Sequence, residues 1–321
     1  MKVLILGAAG VIGQKLGQTL AQRGHLRGET IDAMVLADVV AAKPFDAPFP
    51  LESVACDISN PASVAQVIGA DVDVIYLLAA VVSSHAEEVL DDGLNINMMG
   101  TFHVLQRCRE LETAPVVVFS SSNAVYGGEV PDPIIDETFL NPQTSYGTQK
   151  AIGELLLNDF SRRGLIDGRG FRLPTISVRP GKPNRAASGF MSSILREPLN
   201  GQEAICPVSE EFSHYYLSPR KCVENLIKGT EIPAEDLGEN RCMIMPGKQW
   251  TIRQVIDAMT AVVGPEPAKL IKWESQPEIE RIVTGWRFDF QPQKSLKLGL
   301  EADNSFEDNI RYYIEDDQPF A

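Results

Sequence analysis

The amino-acid sequence predicts an α/β protein built on a doubly wound parallel sheet, with a smaller C-terminal lobe. Short apolar runs alternate with stretches of helical periodicity along the first 180 residues, a pattern typical of parallel strands joined by crossover helices. The first apolar run leads directly into closely spaced glycines. After Arg179 the sequence becomes richer in proline, glycine and polar residues, which indicates that a second lobe begins there.

Five apolar runs are predicted to form buried strands, at residues 3–6, 33–37, 74–78, 116–119 and 175–178. Helical periodicity predicts helices over residues 12–22, 63–68, 95–111 and 146–163, and over 218–229, 251–263 and 305–315 in the second lobe. We expect residues 1–180 to form the larger domain, with residues 212–230 packing back on it. Residues 181–321 are expected to form mainly the smaller lobe.

Composition and charge argue against several classes of function. The chain has 321 residues, of which 44% are hydrophobic, so it can bury a large core. Its formal net charge of -14 disfavours broad contact with nucleic acids or anionic membranes, because both are polyanions. The five cysteines are odd in number and include no C-x-x-C pair, so we expect reduced thiols and no metal site. No apolar run suits a signal peptide or a membrane span, and we therefore expect a cytoplasmic protein.

Gly7, Gly10 and Gly13 form a G-x-x-G-x-x-G motif between the first predicted strand and the first predicted helix. Such glycines allow the backbone, here with Val11 and Ile12, to approach a pyrophosphate at the start of the helix. The alternative is an ordinary tight turn between a strand and a helix. The position of the motif in the first strand-helix-strand unit favours a dinucleotide site.

Acidic and small residues at the ends of later strands extend this predicted site. Asp38 ends the second strand, where a carboxylate can bind the ribose hydroxyls of NAD and repel the 2′-phosphate of NADP. An ordinary turn or capping aspartate is the alternative. Asp57 and Ile58 follow a third short run and are predicted near the adenine, although Asp57 could equally cap the helix near Pro61. The small residues of Leu78-Ala79-Ala80, which end the fourth strand, are consistent with close packing under the cofactor.

Tyr146 and Lys150 begin a predicted helix, and their spacing of four places both side chains on one face. The pKa of an unperturbed tyrosine is about 10, so lowering it to about 7 requires roughly 4 kcal/mol of preferential phenolate stabilisation. Lys150 and an oxidised nicotinamide are both cationic and could supply it. Ser122 belongs to a serine cluster at the carboxyl end of the fifth strand, where it could hold a reacting hydroxyl. A tyrosine at a helix interface, a solvated lysine and serines in a turn are the alternatives, but their joint occurrence after a dinucleotide motif favours a catalytic site.

The glycine motif, the serines before Val125-Tyr126-Gly127 and the Tyr-x-x-x-Lys pair resemble the extended short-chain dehydrogenases, which include UDP-galactose 4-epimerase. The resemblance covers the first 180 residues and implies a Rossmann fold that binds NAD. In that family the tyrosine exchanges a proton with the substrate hydroxyl, the lysine lowers the tyrosine pKa and binds the nicotinamide ribose, and the serine orients the substrate. The family also places an asparagine, matched here by Asn97, near the water network of the lysine. Family members pair helices like those at 95–111 and 146–163 across a two-fold axis, so a homodimer is expected.

The motifs and the resemblance together predict the residues of the site. The predicted catalytic residues are Tyr146, Lys150 and Ser122. The predicted cofactor-binding residues are Gly7, Gly10, Val11, Ile12, Gly13, Asp38, Asp57, Ile58, Leu78, Ala79, Ala80, Asn97, Ser120, Tyr146 and Lys150.

The stretch after the last predicted strand is expected to bind substrate. Lys182, Asn184, Arg185 and Ser188 supply cationic and hydrogen-bonding groups suited to a small polyhydroxy carboxylate, although surface loop charges are the alternative. Ser83 lies where the family often contacts substrate and is included. This stretch, with residues 146–154, 196–199 and 218–220, is similar to the D-erythronate dehydrogenases, a subgroup that acts on four-carbon sugar acids. The similarity implies oxidation of the carbon-2 hydroxyl of D-erythronate with reduction of NAD+.

Two other functions stay open. A sugar-nucleotide epimerase or dehydratase would hold NAD tightly and release no net NADH. Such enzymes usually carry an arginine for the diphosphate where this chain has Ser213-His214-Tyr215-Tyr216-Leu217, which weakens that possibility, although Lys182, Arg185 or Arg220 could substitute. His214 is expected to be packed or at the surface rather than catalytic. A noncatalytic NAD-sensing protein is the other alternative, but such proteins often lack the Tyr-Lys pair that this chain retains.

Overall fold

The structure is a computed structural model that describes residues 1–181, 187–283 and 285–318. The chain divides into two compact units. The first unit comprises Met1–Val125, Pro142–Leu173 and Val223–Ile244, and the second comprises Tyr126–Asn141, Pro174–Cys222 and Met245–Ala321. None of the helices in the described residues is long and apolar enough to cross a lipid bilayer.

A seven-stranded sheet forms the centre of the first unit. Its strands are β1 (Lys2–Leu6), β2 (Ala33–Asp38), β3 (Leu51–Ala55), β4 (Val74–Leu77), β5 (Val116–Ser122), β6 (Asp167–Leu173) and β7 (Cys242–Ile244). They lie in the order β7-β6-β5-β4-β1-β2-β3, and every neighbouring pair is parallel. The predicted α/β fold with a doubly wound parallel sheet is confirmed.

Six α-helices of this unit lie between β1 and β6. They are α1 (Val11–Arg23), α2 (Pro61–Val67), α3 (Ser83–Glu88), α4 (Leu90–Asp92), α5 (Thr101–Leu111) and α6 (Ser145–Arg162). Strand β1 is almost wholly apolar, and its residues Val3–Leu6 are buried, as expected for a parallel strand covered on both faces. The strand order reverses between β1 and β4, and ligands of open α/β sheets bind beside the carboxyl ends of the strands at such a reversal.

The sixth strand differs from the sequence-based expectation. The prediction that residues 175–178 continue this sheet is wrong, because β6 occupies that place and Thr175–Ile176 pairs with another strand of the second unit. Strand β6 contains two arginines, Arg169 and Arg172, and a hydrophobicity pattern predicts such residues at the surface. Both side chains are buried. A guanidinium nitrogen of Arg169 lies 2.9 Å from a carboxylate oxygen, and one of Arg172 lies 2.7 Å from a carboxylate oxygen. Pairing therefore allows a charged segment to form a central strand.

The helix predicted over residues 95–111 contains an irregular first half. Residues Gly93–Gly100 form a π-helix, and the regular helix α5 begins only at Thr101. Helices of this type are rare and occur often at functional sites. Asn97 lies inside this π-helix and is buried.

Small sheets and helices make up the second unit. Strand Ser213–Leu217 pairs in parallel with Thr175–Ile176 and antiparallel with Lys248–Thr251. Two parallel two-stranded sheets join Ala204–Cys206 to Ile271–Trp273 and Ile134–Ile135 to Phe290–Gln291. Among the described residues of this unit, the α-helices that lie wholly within it are Phe190–Leu199, Ile252–Val263, Pro277–Val283, Gln293–Lys297 and Phe306–Asp316. Helix Pro219–Glu231 runs from the second unit into residues of the first, and Ala234–Leu237 follows it.

His214 lies in the aromatic core of the second unit. Its ring centroid lies 5.4 Å from that of Trp286 and 5.7 Å from that of Tyr216. Its Nε2 lies 2.8 Å from the hydroxyl oxygen of Thr175. Burial lowers the pKa of His214 to about 3, because the apolar surroundings disfavour the charged ring. His214 is therefore a packed, neutral histidine.

Replacing His214 with glutamine should make the protein less sensitive to acid. The pKa of the folded histidine lies below the unfolded value of about 6.5, so the unfolded chain binds more protons and stability is lost as the pH falls from 6.5 towards 3. That loss amounts to roughly 5 kcal/mol at the acid end. Glutamine can still hydrogen-bond to Thr175 but does not titrate. Urea unfolding of both proteins at pH 7, 5 and 4 measures the difference, and parallel pH curves for the two would contradict the explanation.

Candidate active site

The glycine motif forms a loop in which two positions have room only for glycine. Gly7 has φ +92°, and a Cβ built there would lie 2.6 Å from the backbone nitrogen of Ala79. A Cβ built at Gly13 would lie 2.2 Å from the carbonyl oxygen of Gly7. Both distances are far shorter than a van der Waals contact. The loop is thereby held close to the residues that follow β4.

Helix α1 begins in this loop without a side-chain cap. Its N-cap residue is Gly10, and no side chain among the described residues accepts a hydrogen bond there. Val11 and Ile12 are the first residues of the helix and are half-buried. The first backbone N–H groups of an α-helix have no partner within the helix and carry partial positive charge. The loop and helix start therefore fit the pyrophosphate of a dinucleotide.

Asp38 joins this loop to the end of β2. Its Oδ2 accepts a hydrogen bond of 2.9 Å from the backbone N–H of Ala9. Its Oδ1 accepts a longer hydrogen bond, of 3.5 Å, from the backbone N–H of Val40. Val39 and Val40 beyond it are 68% and 62% exposed, so this side of the strand end is open. Oδ1 could thus accept a ribose hydroxyl while Oδ2 holds the loop.

Adding a methyl group at Gly13 should damage the loop more than adding one at Gly10. A Cβ at Gly10 would lie 3.3 Å from the carbonyl oxygen of Gly7, a contact that a small shift relieves. We expect Gly13→Ala to lower the free energy of unfolding by about 1–3 kcal/mol and to weaken NAD binding. Gly10→Ala should change stability by less than about 1 kcal/mol. Denaturant unfolding and calorimetric NAD titration check this, and a Gly13→Ala protein as stable as the wild type would contradict it.

The residues predicted near the adenine have local contacts of their own. Asp57 accepts hydrogen bonds from the N–H and hydroxyl of Ser59. The cap of α2 is Asn60, whose side chain accepts from the N–H of Ala62, so Asp57 does not cap that helix. Ile58 is buried, and a Cβ at Gly100 would lie 2.7 Å from its Cδ1, so this side chain packs tightly in the core.

The residues that follow β4 form the loop against which the glycine motif packs. Leu78 and Ala79 are half-buried there, and Ala80 is exposed. The backbone N–H of Leu78 donates to the carbonyl of Leu6, which continues the pairing between β4 and β1 by one residue. The close approach of this loop to Gly7 explains why a bulky residue is excluded from the glycine motif.

Ser122 and Tyr146 meet at the end of β5. The two side chains are hydrogen-bonded, and the hydroxyl of Ser122 also accepts from the N–H of Ala124 at 3.1 Å. Thr144 caps α6 by accepting from the N–H of Gly147. A Cβ at Gly147 would lie 2.1 Å from the carbonyl oxygen of Ala124, so glycine allows the helix start to approach the end of the strand. This approach brings Tyr146 to Ser122.

Lys150 lies one turn further along α6 and is only 2% exposed. Its ammonium nitrogen donates to the carbonyl oxygen of Ser120 at 2.7 Å. The same nitrogen lies 5.7 Å from the centroid of the Tyr146 ring and 4.9 Å from that of Phe119. The hydroxyl of Ser120 donates to the carbonyl of Leu77 at 3.2 Å. The structure therefore brings together the three predicted catalytic residues and Ser120.

Burial shifts the two titratable groups of this site in opposite directions. Loss of hydration raises the pKa of Tyr146 to about 12, and the hydrogen bond with Ser122 opposes this rise. Loss of hydration lowers the pKa of Lys150 to about 8, and the nearby charge of Glu154 opposes this fall. Each group is thus pushed towards its neutral form. Ionising the tyrosine near neutral pH requires further positive charge beside it.

The buried amine of Lys150 should make the free energy of unfolding depend on pH, and Lys150→Met should remove this dependence. The folded pKa of Lys150, about 8, lies below the unfolded value of about 10.4. The unfolded chain therefore binds more protons between these values, and this group raises stability as the pH rises through that window, by on the order of 3 kcal/mol. We expect the difference in unfolding free energy between wild type and Lys150→Met to change by about that amount between pH 7.5 and 10.5. A constant difference in denaturant unfolding would show that folding does not lower the pKa of Lys150.

Asn97 contacts the backbone and a glutamine rather than Lys150. Its side-chain oxygen accepts from the N–H of Val81 at 2.9 Å, and its amide nitrogen donates to the side-chain oxygen of Gln149 at 2.9 Å. Gln149 is 1% exposed, and its own amide nitrogen has no hydrogen-bond partner among the described residues. Asn97 thus joins α6 to the loop that follows β4. Gln149 was not among the predicted site residues, and its only signal in the sequence is its place beside Lys150.

Asn123 is a second polar residue that the sequence analysis does not single out. It follows Ser122 directly, and both polar atoms of its amide are buried without a hydrogen-bond partner among the described residues. A buried amide without a partner is destabilising by about 1–3 kcal/mol per group, so such groups are rare unless a ligand or water completes them. Its place beside Ser122 makes Asn123 a candidate substrate-binding residue.

The predicted substrate residues are spread over the chain. Lys182, Asn184 and Arg185 lie outside the described residues, and their roles stay predictions. Ser83 is the first residue of α3 and is half-buried. In the second unit, the hydroxyl and carbonyl of Ser188 both lie within hydrogen-bond distance of the Arg179 guanidinium, at 3.4 and 3.2 Å.

Comparison with known proteins assigns the chain to a family. Residues 3–211 match the model of the NAD dependent epimerase/dehydratase family. The chain belongs to this family. Its cofactor is accordingly NAD, in agreement with the prediction from the glycine motif and Asp38.

Two relatives with an assigned activity match the chain over almost its whole length. A protein named D-erythronate dehydrogenase from Cupriavidus necator is 47% identical over 98% of this chain and 98% of its own. A protein of the same name from Haemophilus influenzae is 42% identical over 99% of this chain and 100% of its own. Both relatives are named as dehydrogenases, and the present chain is an NAD-dependent dehydrogenase of the same family.

A solved structure with the same fold carries a different name. It is described as a nucleoside-diphosphate-sugar epimerase from Agrobacterium tumefaciens and is 45% identical to this chain, with a TM-score of 0.94. The match covers 98% of this chain and 94% of that one. The two names imply different fates for the hydride, and this difference can be tested.

Proposed function

We propose that the protein oxidises the carbon-2 hydroxyl of a small sugar acid, D-erythronate, to 2-dehydro-D-erythronate and releases NADH. The observation that carries this proposal is the similarity of the whole chain to two proteins named D-erythronate dehydrogenase, at 47% and 42% identity. The site supports it, because a hydrogen-bonded Ser122 and Tyr146 lie beside a buried lysine. This arrangement suits proton transfer from a secondary alcohol.

Oxidation of an alcohol removes a proton from oxygen and a hydride from carbon. When bound, NAD+ would supply the hydride acceptor and a positive charge. Tyr146 accepts the hydroxyl proton as its phenolate, and Ser122 orients the hydroxyl towards it. The ammonium of Lys150 favours the phenolate electrostatically, since opposite charges a few ångströms apart stabilise each other.

The cofactor-binding residues follow from the geometry of the first unit. We propose that the N–H groups of the loop and helix start, from Gly7 to Gly13, hold the pyrophosphate, and that Asp38 binds the adenosine ribose. The acid carboxylate of the substrate requires cationic partners, and Lys182 and Arg185 are proposed for this role. The amide of Asn123 is proposed to bind a further oxygen of the substrate.

A sugar-nucleotide epimerase is the competing proposal, and the name of the Agrobacterium structure favours it. Such an enzyme returns the hydride to its intermediate, so no net NADH is formed. A nucleotide diphosphate requires strong cationic partners. The second unit has Ser213 where sugar-nucleotide enzymes usually carry an arginine, and this weakens the competing proposal.

Net NADH formation separates the two proposals. Purified protein with NAD+ is incubated with four- to six-carbon sugar acids and, separately, with UDP-sugars, and absorbance of the reduced nicotinamide is followed. We expect NADH from D-erythronate and none from UDP-sugars. Conversion of a UDP-sugar without NADH would assign the protein to the epimerases instead.

Replacing Tyr146 with phenylalanine should abolish this turnover and spare cofactor binding. The variant keeps the ring and loses only the hydroxyl that accepts the proton, so we expect kcat to fall by about 10²- to 10⁴-fold. The dissociation constant for NAD, measured by calorimetry, should stay within about threefold of the wild-type value. Substantial NADH formation by the variant would exclude Tyr146 as the base.

Three further features of the protein stay predictions. A homodimer is proposed from the family resemblance, and the exposed Leu155 on α6, with 65% of its surface accessible, suits a helix that packs against another chain. A cytoplasmic location is proposed from the sequence alone. We also propose that the first unit binds mainly the cofactor and that the second contributes mainly to substrate binding.

A further inference from the structure

A buried carboxylate lies one helical turn beyond Lys150. Glu154 is only 1% exposed, although it is ionisable and belongs to the helix that carries the catalytic pair. Lys150 and Glu154 are four residues apart on this helix and both are buried, so their side chains share a face, where the carboxylate favours the charged amine. A carboxylate is rarely buried in a protein core unless it is paired. The proposed reaction does not itself require a carboxylate at this position.

Two partners from neighbouring strands hold Glu154 in place. The hydroxyl of Ser121 on β5 donates to Oε1 at 2.5 Å. The guanidinium of Arg172 on β6 donates from Nε to both carboxylate oxygens, at 3.0 and 3.1 Å, and from Nη2 to Oε2 at 2.7 Å. Arg172 is itself 3% exposed. The guanidinium of Arg172 thus supplies the cationic partner that a buried carboxylate requires.

The other groups that pack against Lys150 do not supply a negative charge. Strand β5 contributes the carbonyl of Ser120 and the ring of Phe119. The π-helix Gly93–Gly100 packs against α6, and the amide of Asn97 on it is neutral and bonds to Val81 and Gln149.

The elements that pack against α6 carry further titratable side chains, namely His85, Glu87 and Glu88 on α3, His103, Arg107, Arg109 and Glu110 on α5, and Asp167, Arg169 and Arg172 on β6. On α3, Glu87 accepts from the N–H of Ser145 at the start of α6, and His85 pairs with Asp92. On β6, Arg172 is directed to Glu154. Among the described residues, Glu154 is the charged group that acts on the Lys150 amine.

We propose that Glu154, held by Arg172, is a positioning residue that keeps Lys150 in its ammonium form while Tyr146 carries the phenolate. This inference rests on the proposed function, because it assumes that the phenolate of Tyr146 is the base. Removing one proton from the Tyr146-Lys150 pair gives two forms. One is the reactive phenolate with an ammonium, and the other is a neutral tyrosine with a neutral amine. Glu154 favours the first form because it stabilises the ammonium.

Loss of the Glu154 charge should change the shape of the pH profile of kcat/KM. An opposite charge at this range shifts a pKa by roughly 1 unit or more. Without the charge of Glu154, the form with a neutral amine becomes more populated. The fraction of the enzyme in the phenolate-ammonium form therefore falls about tenfold on the alkaline side of the profile. The profile also reaches its plateau at a pH roughly 1 unit lower. At acidic pH both proteins carry the ammonium, and their rates converge. A uniform loss at every pH is instead the mark of structural damage.

The test compares the pH profiles of kcat/KM for D-erythronate at saturating NAD+ in four proteins. Glu154→Gln removes the carboxylate charge that faces the buried Arg172, so we include Glu154→Gln with Arg172→Met, which removes both charges. Glu154→Asp keeps the charge and is the matched control. We expect the wild type and Glu154→Asp to share one profile shape. Both proteins with glutamine should lose about tenfold on the alkaline side and little on the acid side.

A second measurement follows Lys150 directly and does not depend on the substrate. The amine is titrated by NMR in lysine-labelled protein, with Lys150→Met identifying its signal. We expect a pKa of about 8 in the wild type, lower by roughly 1 unit in both proteins with glutamine. Equal Lys150 titrations in all four proteins would overturn the role of Glu154. A wild type that forms no NADH but shows the expected titration shift would instead contradict the proposed reaction.

Discussion

The packing of α6 against the end of β5 is the constraint on which the site depends. Residues four apart along a helix share a face, and Tyr146, Lys150 and Glu154 are spaced in this way. Each of them contacts one of three successive serines of the strand, namely Ser122, Ser120 and Ser121. The close approach is possible because Gly147 leaves no side chain between the helix start and the carbonyl of Ala124. One helix-strand contact thus fixes the positions of three ionisable groups.

Burial of these groups has an electrostatic consequence. In the protein alone, the hydroxyl of Tyr146 and the amine of Lys150 are both pushed towards their neutral forms. A tyrosine base near neutral pH therefore depends on charges that arrive with the ligands or are already fixed nearby. The ion pair between Glu154 and Arg172 is such a fixed charge, and its position beside Lys150 links a buried structural feature of the sheet to the proton chemistry of the site. The same burial that weakens the base in the free protein strengthens its interactions once the site is complete.

Local patterns explain why much of the fold and part of the site could be predicted from the sequence. The apolar β1, the glycines after it and the helical spacing of Tyr146 and Lys150 are all contained in short segments, and each is present in the structure. Strand β6 could not be predicted, because the guanidinium groups of Arg169 and Arg172 are satisfied in part by the carbonyl of Ile232 and the carboxylate of Glu154, which lie on other elements. The bond between Asn97 and Gln149 joins residues 52 positions apart, and no local periodicity reveals it. The substrate residues Lys182, Asn184 and Arg185 rest on resemblance and chemistry alone.

The fate of the hydrogen on carbon 2 tests the central claim most directly. D-Erythronate carrying deuterium at carbon 2 is incubated with the protein and NAD+, and the cofactor and the acid are analysed by mass spectrometry. We expect one deuterium in each reduced cofactor released, in equal amount to the 2-oxo acid formed. Absence of labelled NADH, together with a UDP-sugar that is epimerised while keeping its hydrogen, would contradict the account.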